Sequence, residues 1–181
     1  MSNRLKEKYI KEVIPKLKSE FGYKNNLAVP RLNKVVLNVG ISSQKKEDNY
    51  TNLIEKTLKR ISGQKPVFTK AKKAISAFKT RKGQVVGAMV TLRKDRMYDF
   101  VDKLVNIVLP RVRDFRGLNA KSIDKKGNLT IGFKEHIVFG EINPDELEMV
   151  HGLEIIINTS AKNKQEGLSL LKLLGFPFQK D

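Results

Sequence analysis

The chain has 181 residues, and 36 lysines and arginines against 19 aspartates and glutamates give it a net charge of +17. It has no cysteine, which excludes disulfides and thiolate metal sites. No apolar run reaches the roughly 20 residues of a membrane span, and the N-terminus lacks the apolar core of a signal peptide, so a cytoplasmic protein is expected.

Apolar periodicity and turn residues predict an alternation of helices and strands. Helices are indicated where apolar residues recur every three or four positions, and strands where apolar and polar residues alternate. In chain order the predicted elements are a helix over 3–21, a strand over 34–40, a helix over 48–61, strands over 66–69 and 85–92, a helix over 95–109, strands over 129–133 and 153–159, and a helix over 164–174. Their hairpin-like links predict the α+β class, with a mostly antiparallel sheet and helices packed on one face, in a single domain over residues 1–181.

Several local features accompany these elements. Pro15 lies inside the first helix and predicts a kink, because proline removes a hydrogen-bond donor. Asp95 is expected to cap the third helix. A polar loop is predicted over 42–49, an extended continuation of the preceding strand over 74–78, and the basic tip of a hairpin over 80–84.

The positive charge is concentrated in residues 56–96, which we call the basic block. The block carries thirteen basic side chains and one acidic one, and thus +12 of the net charge of +17. A solvated surface usually mixes both signs to limit repulsion. So one-sided a segment indicates a polyanionic partner, of which nucleic acid is the usual kind and an anionic membrane the rarer one. Residues 135–181 are net negative and are expected to face away from RNA or to meet a protein.

The sequence offers little for catalysis. His136 and His151 are fifteen residues apart, which matches no common metal-binding spacing, and both are predicted to be structural or surface residues. A metal-dependent nuclease needs several carboxylates near its phosphate-binding surface, whereas the basic block holds only Asp95. The acidic residues Glu141, Asp145, Glu146 and Glu148 are interpreted as ordinary surface composition. We therefore expect no enzyme, no catalytic or metal site, no cofactor and no small-molecule substrate.

Selective RNA binding needs groups that read base edges or ribose hydroxyls, in addition to cations on the phosphates. Asn38, Gln64, Thr69 and Thr91 are the candidates. A turn role for Asn38 and a helix-end role for Gln64 are equally compatible with the sequence. The aromatic residues Phe68 and Phe78 of the basic block are interpreted as core and not as stacking platforms, so a folded helical RNA is the expected ligand.

Four segments of the chain carry a family resemblance. They are L-K-R-I-S-G-Q-K-P-V-F-T-K-A-K-K-A at 58–74, P-R-L-N-K-V-V-L-N-V-G at 30–40, V-T-L-R-K-D-R-M at 90–97 and P-R-V-R-D-F-R-G-L at 110–118. The sequence resembles the bacterial large-subunit ribosomal protein five family, the 5S-rRNA-binding protein of the central protuberance, over essentially its whole length. It departs from the family pattern at Ala77, Val85 and Gly140.

The resemblance implies a structural role in the ribosome, with 5S rRNA, 23S rRNA and neighbouring large-subunit proteins as partners. It also implies that loop 79–87 contacts the peptidyl-site tRNA and that another surface meets small-subunit protein thirteen in an intersubunit bridge. Together with the charge pattern, it indicates RNA contacts at Lys34, Asn38, Gln64, Lys65, Thr69, Lys70, Lys72, Lys73, Thr91 and Arg93. The tRNA contacts would come from Lys79, Arg81, Lys82 and Gly83. The alternative is a general RNA-binding or RNA-chaperone protein, which needs only the basic block.

Overall fold

A computed structural model of the chain describes residues 3–41, 48–143 and 149–179. Residues 42–47 of the polar loop predicted over 42–49 and the acidic residues Asp145, Glu146 and Glu148 lie outside these ranges, whereas residues 48 and 49 of that loop belong to a helix. Within them, no helix has both the length and the apolar character to cross a membrane.

The described residues form four continuous helical segments. Helix α1 comprises Arg4–Lys8, a π-helical turn at Tyr9–Val13 and Ile14–Phe21; α2 is Asp48–Ser62; α3 comprises Lys94–Lys103, a π-helical turn at Leu104–Val108 and Leu109–Arg111; and α4 is Lys164–Leu174. Short 3-10 turns occur at Asn26–Ala28, Ser76–Phe78, Ala120–Ser122 and His136–Val138.

Five strands form one antiparallel sheet. They are β1 (Leu32–Gly40), β2 (Val67–Lys70), β3 (Val85–Leu92), β4 (Leu129–Phe133) and β5 (Leu153–Thr159), in the spatial order β2-β3-β1-β5-β4. The α+β prediction is confirmed. In the central strand β1, Val35, Leu37 and Val39 are buried, while Asn38 between them is only half-buried, so the predicted alternation of faces is confirmed too.

The chain divides into two compact units. The first unit draws on residues 1–35, 92–131 and 156–181, and the second on residues 36–91 and 132–155. In the first unit, helix α1 packs against α3 and α4 and buries Val13 and Leu17. The start of α1 is tied to α3 by ion pairs from Arg4 to Asp102 (2.9 Å) and from Lys6 to Asp95 (2.8 Å). The single domain expected from the sequence stays a prediction.

In both helices that contain a proline, a π-helical turn replaces the regular α-helical hydrogen bonds shortly before the proline. Pro15 follows the π-helical turn of α1, where the Ile14 N–H donates to the Tyr9 carbonyl oxygen, five residues back. Pro110 follows the π-helical turn of α3 in the same way. A proline ring collides with the carbonyl four residues before it, and a widened turn makes room for the ring. The irregularity predicted at Pro15 therefore takes the form of a π-helical turn.

Two local predictions are wrong. The cap position of α3 is occupied by Arg93 without a side-chain hydrogen bond, and Asp95 lies in the first turn, where its carboxylate accepts from the Lys6 ammonium. Residues 74–78 do not continue as a strand, because Ser76–Phe78 form a 3-10 turn. This turn ends at Lys79, whose left-handed backbone (φ +49°) reverses the chain.

Candidate RNA-binding surface

The second unit contains most of the residues that are predicted to contact RNA. One of them, Gln64, lies two residues after the end of helix α2. The Ser62 hydroxyl donates to the Leu58 carbonyl oxygen (2.6 Å) and accepts the Gln64 N–H (3.2 Å), and its oxygen lies 3.1 Å from the Gln64 carbonyl oxygen. Gly63 adopts a left-handed backbone, and its N–H donates to Lys59. The helix end is thus completed by Ser62 and the backbone. The Gln64 side chain has no hydrogen-bond partner within the described ranges, which leaves its amide available to a ligand.

Asn38 lies on the half-buried face of β1, next to β5 in the sheet. Its amide nitrogen donates to the carboxylate of Glu154 on β5, at 3.1 Å. The side chain is therefore held by a neighbouring strand and plays no part in a turn before Gly40. An amide has two N–H donors and an acceptor oxygen, so one hydrogen bond to Glu154 leaves polar capacity for a base edge or a ribose hydroxyl. Sequence reasoning missed Glu154, although alternation on β5 already sets it apart from the buried Leu153 and Ile155.

Thr69 lies near the end of β2, opposite a glycine of β3. It pairs with Gly87, and the register shifts between Thr69 and Lys70. A Cβ atom at Gly87 would lie 2.9 Å from the Val39 carbonyl oxygen and 3.0 Å from the Thr69 hydroxyl oxygen. The absence of a side chain at Gly87 therefore lets β3 fit against β1 and leaves room for the Thr69 hydroxyl. Thr69 as a residue is half-buried.

The cationic candidates of the second unit are exposed. Lys70 ends β2, and Lys72 and Lys73 follow it; none of these three forms an ion pair in the part of the chain that the structure describes. Lys65 lies 3.5 Å from the Glu55 carboxylate, but its side chain is 76 % exposed. Exposed ion pairs of this kind contribute little, so Lys65 can exchange its partner for a phosphate.

Three predicted RNA contacts remain, one in the second unit and two in the first. Thr91 is half-buried on β3, in the second unit. Lys34, half-buried on β1, and Arg93, exposed directly after β3, belong to the first unit. The structure therefore brings Asn38, Gln64, Lys65, Thr69, Lys70, Lys72, Lys73 and Thr91 into one compact unit.

The predicted tRNA-contacting loop is a structured tip. Lys79, Arg81, Lys82 and Gly83 are all exposed. The tip is closed by hydrogen bonds from the Gly83 N–H to the Ala71 carbonyl oxygen (2.9 Å) and from the Arg81 N–H to the Gln84 side chain (3.1 Å). Residues 85–87, at the end of the range 79–87, already belong to β3. The basic hairpin tip predicted over 80–84 and the strand predicted over 85–92 agree with this arrangement.

The interpretation of Phe78 as a core residue is wrong. Its side chain is 69 % exposed, in contrast to the half-buried Phe68. The sequence provides little warning of this exposure, because phenylalanine is among the residues most often buried. The left-handed conformation of the non-glycine residue Lys79, which is uncommon, turns the chain so that Phe78 points outward.

The two histidines lie in the interior of the second unit. The rings of His136 and His151 stack with 3.9 Å between centroids and 7° between planes, and both residues are buried. The His151 N–H lies 3.2 Å from Nδ1 of His136. Burial lowers the pKa of His136 below its usual 6.5. Both histidines are therefore buried structural residues. Among the described residues, no cluster of three or more metal-ligating side chains occurs.

Comparison with known proteins gives matches along nearly the whole chain. Residues 25–81 match the family model described as Ribosomal protein L5, and residues 85–178 match the ribosomal L5P family C-terminus. The large ribosomal subunit protein uL5 of Desulfatibacillum aliphaticivorans is 53 % identical over 176 residues, covering 97 % of this chain and 98 % of the relative. The uL5 protein of Fervidobacterium nodosum is 54 % identical, with coverages of 97 % and 96 %. That of Caldanaerobacter subterraneus subsp. tengcongensis is 52 % identical, with coverages of 98 % and 99 %.

Proposed function

Since the chain belongs to the ribosomal protein L5 family and is a structural, non-enzymatic constituent of the large ribosomal subunit, we propose that it binds 5S rRNA there through its second unit. One observation carries the proposal: exposed cations of the basic block and polar side chains capable of reading RNA occur together in this compact unit. Ribosomal RNA as the general class of partner follows from the family.

The two kinds of side chain have different tasks in this proposal. The exposed ammonium groups of Lys65, Lys70, Lys72 and Lys73 supply phosphate contacts, which give affinity that falls as salt rises. Asn38, Gln64, Thr69 and Thr91 carry amides and hydroxyls, which suit base edges and ribose 2′-hydroxyls. Lys34 and Arg93 of the first unit would add phosphate contacts. Selectivity for 5S rRNA would thus come from a few half-buried groups among many exposed cations.

We extend the proposal to two further contacts within the ribosome. The tip with Lys79, Arg81 and Lys82 would contact the phosphates of the peptidyl-site tRNA, and Gly83, with φ +85°, supports the tight turn that presents them. Of the departures from the family pattern, Ala77 is exposed in the 3-10 turn and Val85 pairs with Lys70 at the start of β3, so both leave the cations of the tip in place.

The bridge to small-subunit protein thirteen would use a different, protein-facing surface. Met149 and Val150 are exposed apolar residues, 40 % and 43 % accessible. They lie within the acidic part of the chain, residues 135–181, which the charge pattern already sets apart from RNA. Exposed apolar side chains in a part of the chain whose sequence is net acidic suit a contact with a basic protein.

The alternative function is that of a general RNA-binding or RNA-chaperone protein. It would require only exposed cations, and it predicts equal affinity for any nucleic acid of the same charge. The hydrogen bond that fixes Asn38 and the ordered turn that presents Gln64 favour the selective function, because a non-selective polyanion binder has no use for oriented amides.

The test is a binding titration against 5S rRNA and a folded control RNA of equal length, at several salt concentrations. The proposal expects 5S rRNA to keep its advantage at high salt, and Asn38→Ala and Gln64→Ala to reduce that advantage. The matched control is Gln165→Ala, which removes an exposed amide in the first unit and should change nothing. If both RNAs bind the wild-type protein equally at every salt concentration, the general binder is the correct function.

A further inference from the structure

We propose that the turn Ile75–Thr80 and the groove beside it hold one unpaired nucleotide of a bound RNA, with its base stacked on Phe78 and its phosphate at the neighbouring lysines. The inference rests on the proposed RNA binding of the second unit. It specifies that this part of the surface binds an unpaired nucleotide, whereas phosphate contacts alone do not distinguish paired from unpaired RNA.

The backbone holds the Phe78 ring in an outward position. Ile75 and Thr80 exchange two hydrogen bonds, with N···O distances of 3.0 and 3.2 Å. Within the turn, the Lys79 N–H donates to the Ser76 carbonyl oxygen at 2.9 Å, and the Thr80 hydroxyl donates to the Phe78 carbonyl oxygen at 3.1 Å. The Phe78 ring is 69 % exposed and can therefore contact a partner. Because the hydrogen bonds already order the turn, binding costs little additional conformational entropy in the protein.

The groove is lined by both apolar and cationic residues. It has a volume of about 840 Å³, and its apolar side chains are those of Ile41, Ala71, Ile75, Ala77, Phe78 and Val86. Lys72, Lys73 and Lys79 also line it and bring positive charge to the groove. A nucleotide has a flat base with an apolar face and an anionic phosphate a few ångströms away, so it matches both kinds of lining residue. Stacking on an aromatic side chain beside a positively charged groove is a general way to bind single-stranded RNA.

The nucleotide has to be unpaired. In a double helix each base is covered on both faces by its neighbours, so a protein ring reaches a base face only in loops, bulges and ends. This requirement departs from the folded helical ligand that the sequence suggests. It also separates the contact from the phosphate contacts of Arg81 and Lys82, which any RNA of sufficient charge could make.

The experiment uses the full-length protein and three RNA probes. The first is a hairpin whose unpaired loop carries 2-aminopurine; the second is the same hairpin with abasic loop nucleotides, which keeps the phosphates; the third is a fully paired duplex of equal charge. We expect the loop hairpin to bind about 5- to 150-fold more tightly than the abasic one, the range that corresponds to one stacked base. Binding should also quench the 2-aminopurine fluorescence.

Variants of Phe78 identify the stacking partner. Phe78→Leu keeps an apolar side chain but removes the ring, and it should abolish both the quenching and the preference for the loop hairpin. Phe78→Trp should retain both. Because Phe78 is exposed, these changes are not expected to affect folding. Leu27→Ala is the matched control, since Leu27 is an exposed apolar residue (81 %) of the first unit.

The outcomes separate this inference from the proposed function. Equal binding of loop and abasic hairpins, or an unchanged Phe78→Leu variant, overturns the stacked nucleotide while leaving RNA binding intact. Absence of binding to 5S rRNA by the wild-type protein overturns the proposed function itself. Displacement of the probe by unlabelled 5S rRNA or by tRNA, abolished in Phe78→Leu, identifies the RNA that supplies the nucleotide. Displacement by neither RNA counts against the inference.

Discussion

The amide of Asn38 on β1 donates a hydrogen bond to the carboxylate of Glu154 on β5, at 3.1 Å. An acidic side chain on the proposed RNA surface opposes phosphate binding by charge, so it weakens general affinity. Its hydrogen bond restricts the rotation of the Asn38 amide and directs the remaining donor and acceptor of that amide. A residue that weakens affinity and orients a reading group is expected to increase selectivity.

The first prediction separates these two effects of Glu154. Glu154→Gln removes the charge but keeps an oxygen that accepts from Asn38, so affinity should rise for 5S rRNA and control RNA alike. Glu154→Ala also removes the acceptor, so the affinity ratio between the two RNAs should fall. Titrations of both RNAs at matched salt measure the two quantities. A ratio unchanged in Glu154→Ala would show that Glu154 does not orient the Asn38 amide.

The second prediction concerns the close approach at Gly87. Gly87→Ala places a methyl group 2.9 Å from the Val39 carbonyl oxygen and 3.0 Å from the Thr69 hydroxyl oxygen. Because one of these neighbours is backbone, relaxation is restricted, and we expect a loss of about 1–3 kcal/mol in the free energy of unfolding. Urea denaturation followed by circular dichroism measures this loss.

Gly132 supplies the control for Gly87, since it also lies in a strand of the second unit. A Cβ atom at Gly132 would meet nothing within 4 Å. Gly132→Ala should therefore leave stability unchanged or raise it by a few tenths of a kcal/mol up to about 1 kcal/mol. If both substitutions change the free energy of unfolding equally, the effect at Gly87 comes from backbone entropy and not from the close contact with Val39 on β1.

The third prediction follows from the buried histidine pair. Burial lowers the pKa of His136, against the opposing influence of its backbone hydrogen bond with His151 and of Glu135. Below about pH 6.5, the pKa of histidine in the unfolded chain, His136 therefore binds a proton more readily in the unfolded chain than in the folded one. The stability from neutral His136 is complete above about pH 6.5 and is lost as the pH falls toward the folded pKa.

The measurement for this pair is the urea midpoint of the wild-type protein and of His136→Phe between about pH 7.5 and pH 5. Phenylalanine keeps an aromatic ring beside His151 and does not titrate. The wild-type midpoint should fall more steeply with acid than that of the variant. Parallel curves would show that carboxylates elsewhere cause the acid sensitivity, because those groups are common to both proteins.

The sequence predicts the regular elements well where a local cause defines their ends. Helix α4 begins as predicted, since the Asn163 side chain accepts the Glu166 N–H at 2.8 Å, and it ends at Gly175, with φ +103°. Strands β3, β4 and β5 also have their predicted bounds. Such caps and alternations involve residues that are close in sequence, so they can be recognised without knowledge of the fold.

The arrangement of the candidate site depends instead on contacts between distant residues. Asn38 meets Glu154 because β1 and β5 are neighbours in the sheet, and no local pattern indicates that pairing. The exposure of Phe78 depends on the left-handed backbone of Lys79, which residue preferences argue against. Composition therefore located the basic block and residue type indicated the reading groups, while the partner that orients Asn38 and the exposure of Phe78 became visible only in the folded chain.

The fourth prediction concerns the cations of the tip. Substitution of Lys79, Arg81 and Lys82 by glutamine should weaken tRNA binding and reduce the salt slope of log K by roughly 0.7–0.9 for each phosphate that the variant no longer neutralises. Affinity for 5S rRNA should fall less than affinity for tRNA, because the proposed 5S phosphate contacts of Lys65, Lys70, Lys72 and Lys73 remain in place. The matched control replaces the exposed Lys162, Lys164 and Lys172 of the first unit, which lowers the net charge equally. If the control variant weakens tRNA binding as much as the tip variant, total charge and not the position of the tip determines the affinity.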